Sequence, residues 1–180
     1  VNLICGLIEP ESGKVLVDHK NISNNVSQWH KLIGFIPQSI YLTDESVQNN
    51  IAIGIEEKNI DKEKIKKLII STGLSKTLVP EDLVGEDGKN ISGGQKQKIG
   101  IARALYHEPE ILIYDEPTSA MDSQSEENLT EIVFDQKKSK TLIIISHKPK
   151  VLKHCDLVYE VANKNVSLID LKDINLNKTR

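Results

Sequence analysis

Two carboxylates in succession, Asp115 and Glu116, follow the apolar run Ile111-Leu-Ile-Tyr114 and precede Pro117. An apolar strand that ends in paired acids sets them at the carboxyl edge of a sheet, where α/β proteins bind their ligands. There Asp115 is expected to hold Mg²⁺ and Glu116 to polarise an attacking water. A second constellation, Ser92-Gly93-Gly94-Gln95, opens a helical pattern that runs through Leu105. A serine and two glycines at a helix start expose unpaired backbone N–H groups at its positive end, a setting for an anion such as a phosphate.

A third candidate fails on inspection. Ser12-Gly13-Lys14 resembles part of a GxxxxGK[S/T] phosphate loop. Gly6 stands too far from Gly13 for that spacing, however, and Lys14 is followed by Val15, which has no hydroxyl for Mg²⁺. Glu9-Pro-Glu-Ser-Gly13 reads as a turn leading into a strand.

These residues need a scaffold, and short β-rich apolar runs alternating with helical patterns predict a mostly parallel sheet covered by helices. Strands are expected at Lys14–Asp18, Ile33–Pro37, Glu110–Asp115, Thr141–Ser146, Asp156–Glu160 and Val166–Asp170. Between the second and third lies a segment rich in helix formers and lysines, which reads as a helical insertion. Within it, Ser46 caps a helix through Ile51, and Asp61 to Ser71 carries Ile65, Leu68 and Ile69 at helical spacing, ended by Gly73. A third helix starts at the Ser92 turn and is stopped by Pro109; two more are expected at Gln124–Gln136 and Pro149–His154. Val1–Gly6 reads as the last turns of an apolar helix, with a segment expected in front of it.

Composition sets outer limits. The 180 residues suit one domain with a single core. Hydrophobic residues make up 38%, charged residues 27%, and the formal net charge is −3, without the basic excess of a nucleic-acid binder. Apolar runs such as Thr141–Ile145 fall well short of the roughly 20 residues that cross a bilayer, so membrane attachment is expected to lie outside this chain. Cys5 and Cys155 lack the spacing of a disulfide framework or zinc site and read as reduced thiols.

Taken together, Ile91-Ser-Gly-Gly-Gln95, Ile111-Leu-Ile-Tyr-Asp-Glu-Pro117, Ser119-Ala-Met-Asp122 and Ile145-Ser-His147 resemble the ABC ATPase family along the whole chain. The resemblance implies a P-loop NTPase (RecA-like) α/β sheet core, residues 1–38 and 108–180, with an inserted helical subdomain, residues 39–107. In that family two domains sandwich two ATP molecules, so a second ABC ATPase domain is the implied partner, as a homo- or heterodimer. Ser92, Gly93, Gly94 and Gln95 would contact the γ-phosphate of ATP held by the opposite subunit. Asp115 takes the Mg²⁺ role, Glu116 that of catalytic base, and His147 that of the switch histidine. Ser119 and Asp122 match the loop linking the two sites, with Met121 where the family usually has Leu. Gln38, after Ile33-Gly-Phe-Ile-Pro37, matches the Q-loop glutamine, which can ligate Mg²⁺ or order the water.

Val84-Gly-Glu-Asp-Gly88 is similar to the element of exporter ATPases whose Glu meets the membrane domain. The resemblance therefore implies a site at the cytoplasmic face of a membrane, through a transmembrane domain fused upstream. Ile40-Tyr-Leu-Thr-Asp44 is similar to the branch moving lipids or lipid-linked glycans. A soluble, non-transport ABC ATPase stays open as an alternative, as does a non-hydrolysing fragment. With no phosphate loop of its own in the sequence, this chain alone is expected to bind ATP poorly and hydrolyse almost none.

Overall fold

The computed structural model describes residues 1–116, 123–170 and 172, and divides into two compact units, Val1–Ile144 and Ile145–Arg180. In the first, Val1–Leu7 form the expected helix-ending turn. Leu7 N–H donates to Asn2 O at 2.9 Å and Gly6 N–H to Leu3 O at 3.1 Å, with Gly6 at φ 68°. This paired pattern is a Schellman ending, which needs the left-handed residue that glycine supplies. A two-stranded antiparallel ribbon follows, β1 (Leu16–Val17) and β2 (Lys20–Asn21). Helix α1 (Val26–Leu32) starts where Asn25 accepts a hydrogen bond from Gln28 N–H. Its Trp29 Nε1 donates to Ile4 O at 2.9 Å, tying it to the first turn.

Strand β3 (Ile33–Ile36) leads into the helical segment, α2 (Val47–Ile51), α3 (Lys62–Ser71) and α4 (Gly93–Tyr106). Each has a side-chain cap at its N-terminus, α2 at the expected Ser46. Ser46 accepts from Asn49 N–H, Asp61 accepts from Lys64 N–H, and Ser92 accepts from Gln95 N–H. A second Schellman ending closes α3, with Leu74 N–H on Ile69 O at 2.9 Å and Gly73 at φ 67°. The chain then returns as β4 (Ile111–Asp115), α5 (Ser123–Asp135) and β5 (Thr141–Ile145). The sheet order is β3-β4-β5, and β3 pairs with β4 in parallel, Ile36 opposite Tyr114.

Leu112, Ile113 and Tyr114 are all buried, so both faces of β4 are covered, as a strand of a parallel α/β sheet requires. One hydrophobic cluster joins Ile36 and Leu112 of the sheet to Ile99 and Ala102 of α4 and to Ile51, Ile65 and Ile69 of α2 and α3. Two glycines permit this closeness. A Cβ on Gly34 would meet Ala104 O at 2.7 Å, and one on Gly100 would meet Ile40 Cδ1 at 2.4 Å.

The second unit holds α6 (Pro149–Leu152) and the strands β6 (Val158–Ala162) and β7 (Asn165–Ile169). The expected parallel arrangement does not extend to these strands, which form an antiparallel hairpin. Asn163 and Lys164, at φ 50° and 62°, make the tight turn between them, and Asp18 and His19, at 48° and 66°, do the same between β1 and β2. Two successive left-handed residues match the twist of a hairpin.

Candidate functional site

The parallel register of β3 and β4 ends both strands at the same edge of the sheet, so the residues just beyond them become neighbours. Gln38 and Glu116 are 78 residues apart in sequence, yet Gln38 Nε2 donates to Glu116 Oε2 at 2.9 Å. Glu116 has φ 42°, so the chain turns off the strand at the carboxylate itself. A non-glycine residue in this region is under local strain, a feature that gathers at functional sites. Asp115 is half-buried at the last position of β4.

Gln38 spends an amide N–H on Glu116, so Oε1 is the acceptor that this amide retains. No group of three or more His, Cys, Asp or Glu that could hold a metal exists among the described residues. A carboxylate and an amide oxygen without a protein cage fit Mg²⁺, which keeps its waters and is shared with phosphate oxygens.

At the head of α4, Ser92 Oγ accepts from Gln95 N–H at 3.2 Å while Gln95 Oε1 accepts from Ser92 N–H at 2.7 Å. This is a capping box. Gln95 Nε2 also donates to Thr77 Oγ1 at 3.0 Å. The side chains of Ser92 and Gln95 are thereby engaged in building the turn, and the N–H groups of Gly93 and Gly94 are the donors left to the helix start. A Cβ on Gly93 would have nothing within 4 Å, so a ligand can approach the backbone there.

His147 is exposed just beyond β5, in the second unit. Ser119 and Asp122 lie outside the described residues. Glu86 is exposed in a loop held by Gly85 at φ 74° and by Lys96, whose Nζ donates to Asp87 O and Oδ1, both at 3.0 Å.

Sequence reasoning missed three polar residues. Arg103 Nε donates to Asn50 O at 2.8 Å and its Nη1 to Tyr41 O at 2.9 Å, while Asn50, fully buried, accepts from Thr43 N–H at 3.0 Å. Gln97 Nε2 donates to Gln38 O at 3.1 Å. Gln97 lies between Lys96 and Lys98 and Asn50 follows Gln48-Asn49, so neither stands out in the sequence; only Arg103 interrupts an apolar run, Ile99–Leu105.

The parallel strands that end on paired acids, with a glycine-started helix beside them in the chain, make an α/β sheet protein, and its relatives identify the fold as that of a P-loop NTPase. The family model described as "ABC transporter" matches residues 1–119, and the chain belongs to that family. It is 35% identical to Multidrug resistance protein 1 of Entamoeba histolytica over 96% of this chain and 14% of that protein. It is likewise 35% identical to the probable microcin-H47 secretion/processing ATP-binding protein MchF of Escherichia coli, over 89% of this chain and 23% of that one. Among solved structures, a bacterial Atm1-family ABC exporter with ATP bound superposes with a TM-score of 0.78 at 26% identity, covering 88% of this chain and 29% of that chain. The chain thus spans less than a third of the length of each of these proteins.

Proposed function

We propose that this chain is an ATP-binding and ATP-hydrolysing domain that powers an ABC exporter at the cytoplasmic face of a membrane. The observation that carries the reading is the 2.9 Å bond from Gln38 to Glu116 at the carboxyl edge of the parallel sheet. Glu116 is the general base, oriented by Gln38, and takes a proton from the water that attacks the γ-phosphate. Asp115 and Gln38 Oε1 would hold Mg²⁺, which would offset the charge of the phosphate oxygens. Gly93 and Gly94 offer backbone N–H groups to ATP held by a second ABC domain, with Ser92 and Gln95 keeping that turn in shape. His147 supports the attacking water, and Ser119 and Asp122 join the two sites of the dimer.

Glu86 is the contact to the transmembrane part, and its exposure suits that role. A lipid or lipid-linked glycan is the proposed cargo, on the wording of Ile40–Asp44 alone. In the full-length protein, Glu116→Gln should lower ATP turnover about a hundredfold or more while ATP binding persists. Normal turnover in that variant would remove Glu116 from the role of base.

A further inference from the structure

Gln97 stands on α4 past the capped turn, at a position that the reading of Ser92–Gln95 leaves unexplained. Its Nε2 donates to the main-chain oxygen of Gln38 at 3.1 Å, across 59 residues of sequence. Gln38 in turn donates its own Nε2 to Glu116 Oε2 at 2.9 Å. Two amides in series therefore connect the helix that begins at Ser92 to the carboxylate beyond β4.

The orientation of the Gln97 amide follows from its acceptor. Turned over, it would set Oε1 against the carbonyl oxygen of Gln38, two acceptors with no proton between them. In the orientation that donates, Gln97 Oε1 is buried and has no hydrogen-bond partner among the described residues. A buried acceptor left unmade costs stability, and an apolar side chain of similar length would avoid that cost. The amide is thus a poor choice for packing and a good one for holding Gln38.

The rest of α4 is fastened to the same stretch of chain. Gly100 lets Ile40 approach so closely that a Cβ there would stand 2.4 Å from its Cδ1, and Arg103 Nη1 holds Tyr41 O at 2.9 Å. Residues 38, 40 and 41 are gripped from one helix, so a displacement of α4 is passed to Gln38 rather than absorbed by slack.

We infer that Gln97 is a positioning residue for Glu116, carrying the placement of the helix that opens at Ser92 to the carboxylate through the backbone and side chain of Gln38. The inference rests on the reading of Glu116 as the base. It acts by orientation alone, so its removal should change the rate of the chemical step more than the grip on nucleotide.

The test compares Gln97→Met, which keeps the length and lacks the donor, with Gln97→Glu, which keeps the shape and sets an acceptor against the Gln38 carbonyl. On the whole chain, NMR signals of the Gln38 side-chain amide and the Glu116 carboxyl carbon should move in both variants. The Trp29 indole N–H, bonded to Ile4 O, should stay where it is and report an intact fold. In the full-length protein kcat should fall about tenfold or more, with KM for ATP held within about twofold.

Unmoved Gln38 and Glu116 signals in a folded variant would overturn the inference, even if turnover fell, because the loss would then be structural. If the Met variant does not fold, the Glu variant alone decides by the same signals. Failure of the base assignment is seen separately, as normal turnover in Glu116→Gln.

Discussion

Tyr114 shows how little slack the residues next to the chemistry have. It is 2% exposed, and its hydroxyl has no hydrogen-bond partner among the described residues. Burial pushes its phenol far above the ordinary value, so it stays protonated at any working pH. The hydroxyl thus sits as a neutral donor without an acceptor, one residue before Asp115. Tyr114→Phe keeps the ring that fills the core and removes the orphan group. It should hold or raise stability, by up to about 1 kcal/mol in denaturant unfolding. A clear loss would mean that the hydroxyl makes a bond that supports the strand end. Glu116, its neighbour but one, shows the other side of residue-scale reading. The acid pair was legible from an apolar run ending in two carboxylates, whereas the contact with Gln38 needed the parallel register of β3 and β4.

Among the elements, α4 is where local sequence and position in the fold agree most closely. The Ser92-Gly93-Gly94 turn and Pro109 marked its ends in the sequence, and α3 was equally legible from the spacing of Ile65, Leu68 and Ile69 and from Gly73. Helix α1 was not, because Val26-Ser-Gln-Trp-His-Lys-Leu32 is only about two turns long; its cap at Asn25 and the spacing of Val26, Trp29 and Leu32 were the usable signs. The two hairpins escaped because their turns use Asp18-His19 and Asn163-Lys164, not the glycine-bearing pairs that announce such turns. Glycine also separates two kinds of importance within α4 and β3. Gly34→Ala must push against Ala104 O at 2.7 Å and should destabilise the fold by about 1–3 kcal/mol, read from the unfolding midpoint. Gly93→Ala meets nothing within 4 Å and gains helix propensity, so it should fold at least as well as the parent. If it nevertheless loses ATP-dependent pairing with a second domain, the open space at Gly93 is space that the nucleotide uses. Full pairing in that variant would count against an approach to this backbone.

At the scale of the molecule, the inserted helices must be held to the sheet firmly enough for one to act on the other. The shared hydrophobic cluster supplies cohesion but little direction, since apolar contact is tolerant of sliding. Direction comes from Arg103. Its guanidinium, pulled down from its ordinary value by burial, fixes Tyr41 O and Asn50 O, while Asn50 ties Thr43 and Ser46 to the same knot. One side chain thereby joins α4, the last turn of α2 and the stretch leaving β3. No periodicity could have disclosed it, because its partners are mostly main-chain carbonyls, which every sequence has. Arg103→Lys keeps the charge but replaces the planar fork with a single ammonium that cannot satisfy both carbonyls. It should cost about 1–3 kcal/mol in denaturant unfolding, and Arg103→Met, which leaves both carbonyls without a donor, should cost at least as much. If Lys substituted without loss, charge alone would suffice there, and the close hold of α4 on residues 41 to 50 would have to come from packing.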